Sequence, residues 1–215
     1  MQLLIDGDPG AVSTYLMAHG AGAAMDSAGM NALVSPLVSR GIRVVRFEFG
    51  YLAARREGVR RPPPRAESLA GEYRDAVAAA RDAGPVGSLL IGGKSMGGRV
   101  ASLVADELAD LGYIDGLVCL GYPFHPPEQS QQLRTAHLHD LRVATLICQG
   151  TRDPFGTRDE VPGYGLSPAI EVHWLEDGDH DLRPRRAISG RSYAENLGEA
   201  ADAVAAFAAA RSSAR

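Results

Sequence analysis

Three side chains far apart in the chain, Ser95, Asp153 and His180, are of the types that nucleophilic catalysis requires. A serine hydroxyl is a weak nucleophile at neutral pH. It needs a base to take its proton, and the base needs a carboxylate to orient it. Ser95 lies in Gly93-Lys94-Ser95-Met96-Gly97, which fits G-x-S-x-G. The pentapeptide alone is a weak signal, because glycines and serines meet by chance, and the bland alternative is an ordinary Gly-rich turn. Its context is stronger. Ser88 to Ile91 is a short apolar run, as expected of a central parallel strand. Val100, Leu103, Val104, Leu108 and Leu111 then recur at helical spacing, with Gly112 as a stop. A strand, sharp turn and helix of this kind hold the serine in a strained conformation at the strand's carboxyl end, with its hydroxyl exposed. A Cβ at Gly93 or Gly97 would crowd the turn, and Gly98 and Ala101 let the helix approach the strand. The helix N-terminus points backbone N–H groups at negative charge forming near Ser95.

In an open α/β sheet the reacting groups gather beyond the carboxyl ends of the strands. Partners for Ser95 are therefore sought in loops that follow strands. Thr145 to Cys148 reads as a strand, and Asp153 lies in the loop Gln149 to Gly156 after it. Ile170 to Leu175 reads as the last strand, and His180 lies in the loop Glu176 to Asp181. The plainer alternatives are a turn aspartate before Pro154 and a surface-loop histidine. Other candidates are placed worse. His173 falls inside a strand, and His125, His137 and His139 precede the strand that leads to Asp153. Asp159 and Glu160 are further from a strand end, and Asp177, Asp179 and Asp181 flank His180 too closely to orient its ring.

The remaining elements follow from periodicity. Gln2 to Asp6 is expected to be a short edge strand and Thr14 to Ala18 a better one, leading into the Gly-rich loop His19-Gly-Ala-Gly-Ala23. That loop's glycines let backbone N–H groups turn towards a ligand, and His19 itself reads as structural. Met30, Leu33, Val34, Leu37 and Val38 mark an amphipathic helix with Pro36 as a kink site and Gly41 as a stop. Ile42 to Phe49 reads as a strand, and Gly50 to Arg65 as an irregular stretch ending in Arg60-Arg-Pro-Pro-Pro-Arg65, either a solvated cluster or an anion or partner site. Ser68 to Ala83 reads as a helix burying Leu69, Tyr73, Val77 and Ala80. Leu117 to Leu120 reads as a strand and Gly121 to Arg142 as an irregular connection. The final helix is expected from Ser192, with Glu195 completing a capping box and Leu197, Ala201, Val204 and Phe207 inward. Strands alternating with helices predict a mostly parallel sheet covered on both faces.

A chain of 215 residues, 45% hydrophobic and 22% charged, suits one soluble domain over 1–215, with no repeat or linker. Its net charge of −4 argues against general nucleic-acid binding. The two cysteines, Cys119 and Cys148, sit in apolar runs and read as reduced core residues, not as a disulfide or metal site. No signal-peptide pattern and no membrane-length apolar run is seen, so the expected location is the cytoplasm. Lys94 is the only lysine among 22 basic Lys and Arg residues. A compact charge under the turn needs a nearby carboxylate as partner, and Glu48, at the end of the neighbouring strand, is one candidate.

With these residues in hand, the chain resembles the α/β-hydrolase superfamily over its core from about Thr14 to Arg211, in the chain order Ser95, Asp153, His180. Within it, the chain is similar to small dienelactone-hydrolase-like proteins. The nearer match is a group sharing His19-Gly-Ala-Gly22, Gly92-Gly-Lys-Ser-Met-Gly-Gly98, Gln149-Gly-Thr-Arg-Asp153 and Gly190-Arg-Ser192, which includes a hydrolase-like domain of a chromatin-complex subunit. The resemblance implies Ser95 as nucleophile, Asp153 as acid and His180 as base. It implies an oxyanion hole from the Met96 N–H with a backbone N–H at Ala21 or Gly22. It implies no cofactor and no metal. Dienelactone hydrolases proper carry a cysteine where this chain has Ser95, which argues against a dienelactone substrate. Without a long insertion to form a lid, the site is expected to be shallow and to take a small or exposed carboxylic ester. The competing readings are a non-catalytic interaction module of the same fold, and a thioesterase or acyltransferase.

Overall fold

The computed structural model describes residues 1–213. Seven strands form one sheet in the order β1-β3-β2-β4-β5-β6-β7. They are β1 (Leu3–Asp6), β2 (Ser13–Ala18), β3 (Ile42–Phe47), β4 (Ser88–Lys94), β5 (Gly116–Leu120), β6 (Thr145–Gly150) and β7 (Ile170–Leu175). Only β1 runs antiparallel, against β3; the other pairings are parallel. The helices are α1 (Ala28–Val38), α2 (Gly50–Arg56), α3 (Ala70–Asp82), α4 (Met96–Asp110), α5 (Arg186–Ser189) and α6 (Tyr193–Ser212). This is the α/β-hydrolase architecture.

Strands β2 to β6 are buried along their whole length, as parallel strands covered on both faces must be. Successive side chains point to opposite faces. Leu16, Phe47, Ile91, Leu117 and Ile147 meet Tyr73 and Val77 of α3 and Val100 and Val104 of α4. Met17, Val44, Leu90, Val118 and Leu146 meet Leu33 and Leu37 of α1 and Leu197 and Val204 of α6. Helix α6 opens with the expected capping box. The Glu195 N–H donates to Ser192 Oγ at 3.2 Å and the Ser192 N–H to Glu195 Oε2 at 2.6 Å.

Several expected boundaries shift. β3 stops at Phe47, because Phe49 becomes the residue that caps α2. The stretch Gly50 to Arg65 is not wholly irregular. Its first seven residues form α2, seating Tyr51 and Leu52 in the core. Good helix formers fill that segment, but a glycine at its start and no side-chain cap hide it from sequence reading. The rest, including Arg60 to Pro63, is exposed apart from a half-buried Pro64. The helix expected from Ser68 is a 3-10 turn, Ala66–Leu69, followed by α3. Leu111 is 57% exposed, not inward, since α4 ends at Asp110. Among the described residues, no helix is long and apolar enough to cross a membrane.

The end of β4 is the tightest place in the sheet. A Cβ on Gly92 would stand 1.7 Å from the Val118 carbonyl oxygen, and one on Gly93 would stand 2.4 Å from the Ala18 carbonyl oxygen. Both glycines hold a positive φ, 153° and 157°. Gly71, inside α3, has nothing within 4 Å of such a Cβ. In urea denaturation, Gly93→Ala is therefore expected to destabilise by about 2 kcal/mol or more. Gly71→Ala is expected to stabilise by about 0.5–1 kcal/mol through helix propensity. Equal effects of the two substitutions would contradict the packing described for β4.

Candidate active site

Ser95 joins β4 to α4 with φ 52° and ψ −117°, a conformation that L residues rarely adopt. Two backbone hydrogen bonds pin it. Its N–H donates to the Leu120 carbonyl at 3.0 Å, and its own carbonyl accepts from the Arg99 N–H at 3.1 Å. A Cβ on Gly97 would stand 2.6 Å from the Ala18 carbonyl oxygen and 2.7 Å from that of His19. Glycine there lets the end of β2 press directly against the turn.

The loops after β6 and β7 converge on the serine. His180 Nε2 lies 2.8 Å from Ser95 Oγ, and His180 Nδ1 lies 2.9 Å from Asp153 Oδ2. An ionised carboxylate only accepts, so the Nδ1 proton is donated to Asp153 and Nε2 is left to accept from the serine hydroxyl. Asp153 is 0% exposed. Its Oδ1 accepts from the Phe155 N–H at 2.9 Å and its Oδ2 from Gln149 Nε2 at 2.9 Å. Buried Gln149 is itself fixed, accepting from the Tyr122 N–H at 2.7 Å and donating to the Gly156 carbonyl at 3.2 Å. The Phe155 ring covers the imidazole, centroid to centroid 4.1 Å. Neither Gln149 nor Phe155 was weighed as a site residue from sequence, although Gln149 opens the run Gln149-Gly-Thr-Arg-Asp153, and β6 runs on to Gly150 where the strand was expected to end at Cys148.

Met96 and Ala21 line one cleft with Ser95, and Ala21 and Gly22 line a second one with it. Met96 begins α4, so its N–H has no acceptor inside the helix. In the loop after β2, the buried imidazole of His19 accepts from the Phe49 N–H at Nε2, 3.1 Å, and so donates from Nδ1 to the Gly20 carbonyl at 2.6 Å. A trans peptide carries its C=O and N–H on opposite sides. Holding the Gly20 oxygen on the His19 side therefore turns the Ala21 N–H the other way. Tyr51 Oη does the same to the next peptide, donating to the Ala21 carbonyl at 2.9 Å. Burial lowers the His19 pKa, which keeps this ring neutral.

The pairing of Lys94 with Glu48 is corrected. β2 lies between β3 and β4, which sets the two side chains two strands apart. Glu48 instead binds Arg56 Nε at 2.7 Å and the Met25 N–H at 3.0 Å. Lys94 Nζ lies 3.3 Å from Asp181 Oδ1, beside His180. The lysine side chain is 10% exposed and the aspartate 71%. Burial lowers the lysine's pKa, and Asp181 acts against that shift. Several of the other acids and histidines weighed from sequence are engaged elsewhere. Asp177 pairs with Arg185, Glu160 binds Thr157, His137 binds Ser102, His125 and His139 bind the Pro126 and Gly165 carbonyls, and His173 faces Glu199. A double-mutant cycle with Lys94→Met and Asp181→Asn should give a coupling of about 0.2–1 kcal/mol, because one partner is solvated. A coupling indistinguishable from zero would mean that the pair does not hold the turn.

A protein-family model described as an alpha/beta hydrolase domain matches residues 11–209. Among solved structures, the chain is similar to a lidless α/β serine hydrolase from Xanthomonas campestris, with 18% identity, a TM-score of 0.71, and 96% of this chain and 88% of that chain covered. It is also similar to an α/β serine hydrolase homologue from Coxiella burnetii, with 15% identity, a TM-score of 0.70, and coverage of 95% and 90%. A third similar structure is that of Est1E from Butyrivibrio proteoclasticus with ferulic acid bound, with 13% identity, a TM-score of 0.72, and coverage of 97% and 95%. Since the family model covers nearly the whole sequence, the chain belongs to the α/β-hydrolase family.

Proposed function

We propose that the protein is a serine hydrolase that cleaves carboxylic esters through an acyl-enzyme on Ser95. The observation that carries this is the unbroken hydrogen-bond chain Ser95–His180–Asp153, with links of 2.8 and 2.9 Å. In the first step Ser95 Oγ bonds to the acyl carbon and His180 Nε2 takes the hydroxyl proton. Asp153 holds the imidazolium as it forms. The carbonyl oxygen becomes negative and is received by the Met96 and Ala21 N–H groups, with Gly22 beside them. Such preorganised donors are each worth roughly 3–4 kcal/mol of barrier. Collapse restores the carbonyl, breaks the ester C–O bond, and passes the His180 proton to the departing alcohol. Water, deprotonated by the same imidazole, then attacks the acyl-enzyme and frees the acid and Ser95.

No helical segment longer than the single turn Ala136–Leu138 interrupts the connection from β5 to β6. That supports a site suited to small or exposed esters. A purely structural module of this fold would have no use for a buried carboxylate, a histidine and a strained serine aligned in one chain.

Ser95→Ala and His180→Ala should each lower kcat for a short p-nitrophenyl ester by about 10³-fold or more, and the double variant should lose little beyond either. Near-normal turnover in a folded Ser95→Ala protein would refute the proposal.

A further inference from the structure

Ser95 opens onto two clefts of different character. One, of about 620 Å3, is lined by His180, Lys94 and Tyr193 and floored by the buried side chains of Met30 and Leu33. The other, of about 640 Å3, contains Met96, Arg65, Arg99, Arg134 and Glu67. Three guanidinium groups thus face one carboxylate, in a chain whose net charge is −4. Glu67 is already paired with Arg99. Even so, Arg99 Nε is buried without a hydrogen-bond partner. Among the described residues, no carboxylate lies within ion-pair distance of Arg134 or Arg65. Arg134 is half-buried, and both its burial and the nearby Arg99 lower its pKa. A half-buried Arg134 without a carboxylate and a buried Arg99 Nε without a partner are costly unless an anion joins them.

The placement also assigns the two halves of the substrate. The leaving alcohol must take its proton from His180, which lines the first cleft and not the second. The acyl portion is then directed into the arginine cleft. Arg99 is one helical turn beyond Ser95, its N–H bonded to the Ser95 carbonyl, and it lines this cleft with Arg65 and Arg134. Guanidinium forks match carboxylate geometry. We propose that the enzyme prefers monoesters of dicarboxylic acids, in which the free carboxylate of the acyl chain is bound by Arg134, Arg65 and Arg99 while a small apolar alcohol leaves past His180. This rests on the hydrolase reading above and adds to it the charge and orientation of the substrate.

The test compares phenyl hydrogen adipate with phenyl hexanoate, which share leaving group and acyl chain length and differ only in the terminal carboxylate. At low salt, kcat/KM for the anionic ester should exceed that for the neutral one about tenfold or more, and sodium chloride should shrink the ratio. Arg134→Gln should cut the ratio severalfold. Arg65→Gln, at an exposed position that folding does not depend on, should cut it too. Because the ratio is taken within one protein sample, incomplete folding of a variant does not alter it. Hexanoate cleaved as fast as adipate, or a ratio that neither salt nor either substitution moves, would overturn the proposal and leave the hydrolase reading standing. Cleavage of neither ester, with no reaction towards a fluorophosphonate, would bring down the hydrolase reading and this one with it.

Discussion

A non-glycine residue held at φ 52° costs on the order of 1–3 kcal/mol, and the candidate active site is organised around the contacts that keep Ser95 there. Gly92 and Gly93 let β4 lie hard against the backbones of β5 and β2, and Gly97 lets β2 reach the first turn of α4. The two hydrogen bonds of Ser95, to Leu120 on one side and Arg99 on the other, then leave it no relaxed alternative. The same crowding that imposes the strain also aims the hydroxyl out of the sheet and brings the helix N-terminus next to it. Relieving the strain by enlarging the turn would move the hydroxyl away from both.

The second requirement is a carboxylate without water. An ionised group removed from solvent is tolerated only when hydrogen bonds replace its hydration. Asp153 receives three, from Phe155, Gln149 and His180. Gln149 is in turn fixed by the backbone at Tyr122, so the loop after β5 and the loop after β6 are tied together beneath the imidazole. On the opposite side, His19 and Tyr51 hold two consecutive carbonyls. The backbone N–H groups that follow them are thereby fixed in direction, as the proposed oxyanion hole requires.

Much of this was legible in the sequence because the relevant signals are local. The apolar run to Ile91, the glycines around Ser95 and the helical spacing after it specify a turn that only a few geometries satisfy. Asp153 and His180 could be placed because loops after parallel strands converge at one edge of the sheet. What was not legible depends on which strands are neighbours. Glu48 looked adjacent to Lys94 until β2 was seen between their strands, and the true partner, Asp181, arrives from a loop 87 positions later. The short helix α2 was hidden by its glycine start and lack of a cap. Gln149 opened the run Gln149-Gly-Thr-Arg-Asp153 but was read as loop, whereas it is the penultimate residue of β6, with its amide under Asp153. The arginine cleft gathers residues from the loop before α3, from α4 and from the connection after β5, a meeting no spacing rule announces.

On the proposed mechanism, Ser95 is activated by the folded arrangement around it. The most direct measurement is peptide mapping by mass spectrometry after brief exposure of the native protein to a fluorophosphonate. The account predicts one phosphonyl adduct on Ser95, lost on prior unfolding and strongly slowed by His180→Ala. An unlabelled native protein, or an adduct on a different residue, would contradict it.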